Sequence, residues 1–113
     1  MNYIDELAAR IGVNCGMDFN EPEARRLLRL YALLGLQHGI DVSNDQVHDA
    51  WAVWRLETAP DHACIVPYDE LLPHIQAYDT KYTDAIRRSY IELYATAEPA
   101  QDGSGSEATE RKV

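Results

Sequence analysis

The stretch that decides the fold is NEPEARRLLRLYALLGLQHGI, residues 20–40. Its large apolar side chains recur at 3.6-residue spacing and therefore share one face of a helix: Leu27, Leu28, Tyr31 and Leu34. Asn20 is the predicted N-cap, Glu23 its capping-box partner, and Pro22 suits the first turn. This segment predicts a long amphipathic helix that packs against a core.

The other end of this helix carries termination signals. His38 places partial positive charge where the helix dipole favours it, and Gly39 can take the left-handed conformation. Ile40 would then supply the apolar contact of a Schellman cap. We therefore expect the helix to end at residue 38.

Helical spacing continues on both sides of this segment. Upstream, Gly12 is predicted to end a short first helix, and a loop over residues 14–20 follows it. The apolar residues of that helix are Ile4, Leu7, Ala8 and Ile11. Downstream, Ser43 and Gln46 form a capping box for a third helix that runs to about Glu57.

The rest of the chain predicts a short connector and two more helices. Residues 58–67 form the connector, in which Ile65 and Val66 favour a brief extended stretch. After Pro67, helical spacing resumes in two helices that meet around residues 79–80 and end near residues 94–97. Residues 98–113 are rich in Gly, Ser and acids, which is typical of a disordered tail.

These elements predict an all-α fold, a small single-domain helical bundle of about five helices with a short extended connector. We divide it into an N-terminal helical extension, residues 1–43, and a second part, residues 44–97. A single domain suits a chain of 113 residues, of which 46% are hydrophobic.

The charge of the chain argues against nucleic acid as its main partner. The formal net charge is −9, and residues 1–97 hold 15 acidic against 8 basic side chains. Binding to phosphates needs lysine and arginine, so nucleic acid is an unlikely partner. The chain lacks both a signal-peptide pattern and an apolar run of roughly 18 residues, so we expect a cytoplasmic protein without membrane contact.

Three motifs follow one another in the second half: DQVHDAWAVWRLE at 45–57, HACIVPYDEL at 62–71 and AYD at 77–79. Their order resembles the RyR domain of bacterial proteins, their viruses and ryanodine receptors, from about residue 44. The resemblance implies a helical module with short extended pieces that binds nucleotide-like small molecules. It brings no catalytic residues, so we expect a binding module and not an enzyme.

One stripe of the third helix carries the groups that a nucleotide needs. An indole can stack on a base, a guanidinium can hold a phosphate, and an imidazole can donate to oxygen. The predicted ligand-binding residues are His48, Trp51, Arg55, His62, Tyr68 and Asp79. The alternative is that this stripe is core packing, with His48 and Arg55 bonded to backbone or to Asp79.

Other site chemistries find less support. Four residues have metal-ligand side chains, but their spacing matches no zinc motif: His48, Asp49, His62 and Cys64. Cys64 could act with a histidine as a nucleophile, yet no Gly-rich oxyanion loop accompanies it. We therefore expect no metal, no cofactor and no catalytic residue.

Two further functions stay open at this point. Leu30, Leu33 and Leu36 form a second apolar stripe, which favours a homodimer through the helix at residues 21–38. Residues 6–13 resemble the first half of a helix-turn-helix unit, which would make the protein a DNA-binding regulator. The acidic charge counts against the second of these.

Overall fold

Four helices of three turns or more build the domain in the computed structural model, which describes residues 1–95. These are α1 (Tyr3–Cys15), α2 (Pro22–His38), α3 (Asn44–Leu56) and α5 (Tyr78–Tyr90), and α4 (Pro73–Gln76) is a single turn. Two 3₁₀ turns, Gly39–Asp41 and Tyr68–Glu70, and a final π-helical turn, Ile91–Ala95, complete the described part. The all-α prediction is confirmed, and the number of helices is close to the expected five.

Helix α1 is longer than predicted, because Gly12 lies inside it and not at its end. A Cβ atom on Gly12 would come within 2.7 Å of the Met17 carbonyl oxygen and 3.0 Å of Leu28 Cδ1. The glycine thus permits close packing between α1, the following loop and α2. The helix ends at Gly16, whose φ of 82° lies in the left-handed region that glycine adopts without strain.

Helix α2 forms where predicted, but its caps differ. The N-cap is Glu21 and not Asn20, because the Glu21 carboxylate accepts from the N–H groups of Glu23 (3.2 Å) and Ala24 (2.8 Å). The backbone N–H of Asn20 donates instead to Asp18 Oδ1 in the preceding turn. Pro22 takes the first helical position, as expected.

The predicted Schellman cap at the other end of α2 is wrong. Gly39 does have a positive φ of 59°, but its ψ of −131° lies outside the left-handed helical region. The chain continues from there into the 3₁₀ turn, and Ile40 stays exposed. The Tyr90 ring lies 3.2 Å from the place where a Gly39 Cβ would stand, so this glycine also gives room to α5.

Helix α3 begins with the predicted partnership of Ser43 and Gln46, since Gln46 Oε1 accepts from the Ser43 N–H at 3.1 Å. The connector after α3 differs from expectation. It folds into successive turns, with His62 N–H donating to Ala59 (2.9 Å) and Ile65 N–H donating to His62 (3.1 Å). Residues 1–95 contain no strand, so the predicted extended stretch is absent.

The last two helices meet at Ala77, two residues before the predicted junction. Pro73 opens α4, which agrees with the expectation that a new helix must begin near it. Arg87 of α5 donates from Nε (3.0 Å) and Nη2 (2.6 Å) to the Val42 carbonyl. This contact ties α5 to the turn between α2 and α3. The predicted tail, residues 98–113, lies outside the described residues.

The core draws on every long helix. Its fully buried apolar side chains include Leu7 and Ile11 of α1, Leu28 of α2, Val47 of α3 and Ile86 of α5. The helices on both sides of residue 44 therefore share one core. The proposed division at that residue stays a prediction.

The second apolar stripe of α2 is only partly available for a partner. Leu36 packs against the core, Leu30 is half-buried, and Leu33 is 48% exposed. Homodimerisation through α2 stays a prediction, which light scattering can test. None of the helices described for residues 1–95 has the length and apolar character needed to cross a bilayer.

Candidate functional site

A cavity of about 800 Å³ opens between α3, the connector that follows it and the start of α5. Pockets for small molecules have volumes of roughly 300–1,000 Å³. Side chains from α2, α3, α4, α5 and the connector all line it. Seven of these carry rings: Tyr31, His48, Trp51, Trp54, His62, Tyr78 and Tyr82. The cavity therefore has the size and the apolar, aromatic lining of a binding pocket.

Trp51 stands at the centre of the aromatic lining. The His48 ring stacks on it at a centroid distance of 5.6 Å and an interplanar angle of 25°. The His62 ring meets it edge-on at 5.2 Å and 82°. Trp54 is held in place on α2, because its indole N–H donates to the Glu23 carbonyl at 2.9 Å. The indoles thus form a preorganised surface.

Arg55 brings positive charge to this aromatic surface. Its guanidinium carbon lies 4.9 Å from the Trp54 ring centroid and 5.9 Å from that of Trp51. Nη1 makes a long contact of 3.4 Å with the Thr58 hydroxyl. Nε is buried and has no hydrogen-bond acceptor within the described part of the chain. A buried donor without an acceptor is costly, so the described residues leave the Arg55 guanidinium incompletely paired.

His48 has a structural role that the sequence left open. The side chain is almost fully buried, and Nε2 lies 2.7 Å from the Val66 carbonyl oxygen. A carbonyl can only accept, so Nε2 carries the proton in this bond. The bond fastens the connector to α3. His48 makes the backbone contact that the alternative interpretation expects, and its ring also lines the cavity, so its ligand-binding role stays a prediction.

Asp79 faces the other nitrogen of that histidine. Its Oδ2 lies 4.0 Å from His48 Nδ1, too far for a hydrogen bond. Burial raises the pKa of the Asp79 carboxyl above its usual value, and attraction to His48 opposes the rise. The carboxylate also helps to raise the pKa of Tyr31, for which burial is the larger cause. Asp79 is thus an incompletely paired acid in the cavity wall.

The charge of the cavity is opposite in sign to that of the chain. Arg55 and Lys81 line it as cations, and Asp79 is the acid among its lining residues. The whole chain, by contrast, carries a formal charge of −9. A positive cavity favours an anionic group on the ligand. The acidic surface of the rest of the protein repels anions.

Five of the six predicted site residues line this one cavity: His48, Trp51, Arg55, His62 and Asp79. The sixth, Tyr68, lies behind His48 at a ring distance of 6.1 Å and faces a smaller recess of about 470 Å³. Its carbonyl accepts from Gln76 Nε2 at 2.9 Å, which braces the connector against α4. The structure therefore does not bring Tyr68 to the cavity. The ligand-binding roles of the six residues stay predictions.

Sequence reasoning missed several cavity residues, among them Tyr31, Lys81 and Tyr82. Tyr31 stands in the apolar stripe of α2, which predicts core packing, and its ring lies 5.8 Å from that of Tyr82. A tyrosine in a stripe is more often core than binding wall, so the sequence held no signal that separates the two. Lys81 is a single cation, and no motif around it in the sequence indicates a site.

The described residues contain no group of three His, Cys, Asp or Glu side chains arranged to hold a metal ion. The Cys64 N–H donates to His62 Nδ1 at 3.0 Å, so this ring nitrogen already serves the backbone. Both cysteines are free thiols; Cys15 is buried, and Cys64 is half-buried at the cavity. Burial raises the pKa of the Cys15 thiol.

One family model, described as a domain of unknown function (DUF7701), matches residues 2–90. The chain belongs to the DUF7701 family. The match runs from the N-cap of α1 to the last residue of α5, so the family unit includes all four long helices and the cavity between them. No curated protein and no solved structure matches this DUF7701 chain.

The predicted RyR-domain membership is wrong, because the family found over residues 2–90 is DUF7701. The resembling motifs have local structural roles in this domain. Val47 and His48 are buried, His48 bonds the connector at Val66, and Pro67 leads into a 3₁₀ turn. Residues with these roles occur wherever a helix is followed by a tight connector. The order of the three motifs is therefore weak evidence of membership in a family.

Proposed function

We propose that this DUF7701 protein is a binding module without catalytic activity, whose cavity takes a nucleotide-like small molecule. By this we mean an aromatic ring system joined to an anionic group. The proposal rests on the Arg55 guanidinium, which lies beside two indoles in the lining of a cavity of about 800 Å³.

The aromatic lining supports stacking of a flat ring. Trp51 is fixed by His48 and His62, and Trp54 is fixed by its bond to Glu23. Stacking of a base on an aromatic side chain contributes roughly 1–3 kcal/mol, and a fixed ring loses little entropy when the ligand arrives. The lining therefore favours a planar ligand over a flexible aliphatic one.

The positive charge supports an anionic group on the same ligand. Arg55 and Lys81 both contribute cations to the lining, and the Arg55 guanidinium is incompletely paired within the described residues. A guanidinium binds phosphate or carboxylate through two parallel hydrogen bonds, which are about twice as strong as neutral ones. Arg55 would thus gain the acceptor that the described residues do not supply.

Binding without catalysis is supported by how the candidate reactive groups are used. His48 commits Nε2 to the Val66 carbonyl, and His62 commits Nδ1 to the Cys64 N–H. A nucleophile also needs an adjacent base and an oriented third group. Among residues 1–95, no hydrogen bond joins a thiol or hydroxyl to a histidine in that way.

The proposal is tested by thermal-shift and tryptophan-fluorescence titrations with a panel of mononucleotides. A ligand that binds the native state alone raises the melting temperature, and stacking on Trp51 should change its emission. Arg55→Met should weaken binding by roughly 10- to 150-fold, the equivalent of a lost charge-assisted contact of about 1.5–3 kcal/mol.

The matched control is Arg88→Met, which removes an exposed guanidinium that pairs with Glu92 and does not line the cavity. Its affinity for nucleotides should equal that of the wild-type protein. Absence of any melting shift or fluorescence change at about 1 mM of every nucleotide would overturn the proposal, since so weak an affinity leaves no specific ligand.

A further inference from the structure

The Asp79 carboxylate is a hydrogen-bond acceptor without a donor among the described residues. Its side chain is 13% exposed and lines the cavity, yet no group in residues 1–95 donates a hydrogen bond to it. The Thr83 hydroxyl donates to the backbone carbonyl of Asp79 and not to the carboxylate. A ligand that brings N–H groups would therefore add hydrogen bonds that the described residues do not supply to this carboxylate.

His48 does not remove this need. His48 uses Nε2 at Val66, and its Nδ1 lies 4.0 Å from Asp79 Oδ2, beyond hydrogen-bond distance. Burial raises the pKa of the Asp79 carboxyl, and attraction to His48 opposes the rise. A ligand N–H group placed at the carboxylate would supply the hydrogen bond that His48 does not.

The unmet groups are arranged along α3. His48 and Arg55 are seven residues apart, about 10 Å along a helix axis, and Trp51 lies between them. Asp79 stands at the His48 end and the unpaired Arg55 Nε at the other. The cavity thus presents an acceptor, a stacking surface and a cation in that order. The distance that they span is similar to the length of a base with its sugar and phosphate.

We infer that the occupant carries a guanine-type edge, with two neighbouring N–H donors bound by the two oxygens of Asp79 and its phosphate held by Arg55. This inference rests on the proposed function. A carboxylate has two parallel acceptors, so it matches two parallel donors as it does in a fork-like arginine pair. Guanine offers such a pair, a ring N–H beside an exocyclic amine.

The other common bases present a mismatch to the same carboxylate. Adenine and cytosine place a ring-nitrogen lone pair beside their amine, and uracil flanks its single N–H with two carbonyl oxygens. Each would put an acceptor against Asp79 and leave one carboxylate oxygen unpaired. A site built to pair with a donor rejects an analogue that lacks it more strongly than an apolar pocket rejects a change of size.

Calorimetric titration with the 5′-monophosphates of guanosine, adenosine and xanthosine tests the inference. The wild-type protein should bind guanosine monophosphate at least about 30-fold more tightly than adenosine monophosphate. Asp79→Asn replaces one acceptor by a donor, so this variant should lose that preference. It should instead favour xanthosine monophosphate, whose ring N–H and neighbouring carbonyl complement an amide.

The matched control is Asp84→Asn, an exposed acid on the same helix, which should keep the wild-type order of affinities. Equal affinity of the wild-type protein for guanosine and adenosine monophosphates would overturn the inference and leave the proposed function standing. A guanine preference that survives in Asp79→Asn would overturn it as well. If no nucleotide binds, both the inference and the proposed function fail. If a variant does not fold, the ratio of the wild-type affinities for guanosine and adenosine monophosphates still decides the inference.

Discussion

Replacing His48 by alanine should destabilise the domain in the absence of any ligand. The ring is 3% exposed, and its Nε2 donates to the Val66 carbonyl at 2.7 Å. It also stacks against Trp51. The change therefore removes a buried ring, leaves a carbonyl without its donor and releases the connector from α3.

The expected loss is about 3 kcal/mol in the free energy of unfolding. Truncation of a buried ring leaves a cavity, and a partly buried carbonyl without a partner adds roughly 1 kcal/mol. A domain of this size changes its melting temperature by about 4–8 °C for each kcal/mol. The melting temperature of His48→Ala should thus fall by about 12–24 °C.

Urea unfolding, followed by circular dichroism, measures this difference, with His62→Ala as the matched control. His62 lines the same cavity and is exposed, and its ring meets Trp51 only edge-on. Its replacement should cost less than about 1 kcal/mol. His48→Gln should lie between the two variants, because an amide N–H can still donate towards Val66.

Equal stabilities of His48→Ala and His62→Ala would refute this reasoning. Such a result would mean that the bond between His48 and Val66 does not stabilise the domain. The main role of His48 would then be contact with a ligand and not stabilisation of the fold. A change in the slope of the denaturant curve would instead indicate a more compact or a looser unfolded state.

Two further predictions concern Asp79 and the glycines. Because burial raises the Asp79 pKa in the folded state, its stabilising contribution is present below the ordinary carboxyl pKa and is lost as pH rises through the folded value. The stability of Asp79→Asn relative to wild type should therefore rise as the pH increases above the ordinary carboxyl pKa of about 4, and a difference that is independent of pH would contradict this. Gly12→Ala should lower the free energy of unfolding by about 1–2 kcal/mol despite the better helix propensity of alanine, since the new methyl meets a backbone oxygen at 2.7 Å. Gly35→Ala should cost less than Gly12→Ala in the same unfolding assay, because its nearest atoms, at 3.3 Å, belong to the side chains of Ile86 and Leu7 and not to the backbone.

The helix boundaries are the features that residue propensities and capping rules predict least well. Asn20 and Glu21 can both cap α2, and the choice of Glu21 depends on how its carboxylate reaches two backbone N–H groups. Gly12 looks like a helix stop by composition, but it lies within α1 because Leu28 and the Met17 carbonyl pack against it. Propensity describes a residue in isolation, and tertiary packing overrides it at such contacts.

The sequence by itself determined the helices and the faces they present. The 3.6-residue spacing of α2 predicts its buried stripe, and the spacing of His48, Trp51 and Arg55 puts them on one side of α3. These are local properties, because the geometry of a helix relates each residue to those three and four positions away.

Only the tertiary structure decided what that stripe meets. Asp79 is 31 residues from His48 along the chain, yet α5 brings the two within 4.0 Å, while Tyr31 of α2 lines the same cavity. The docking of helices depends on many side chains at once, including the small Gly12 and Gly39 that permit close approach. Periodicity therefore predicts which residues point the same way, and helix docking determines which of them form a cavity together.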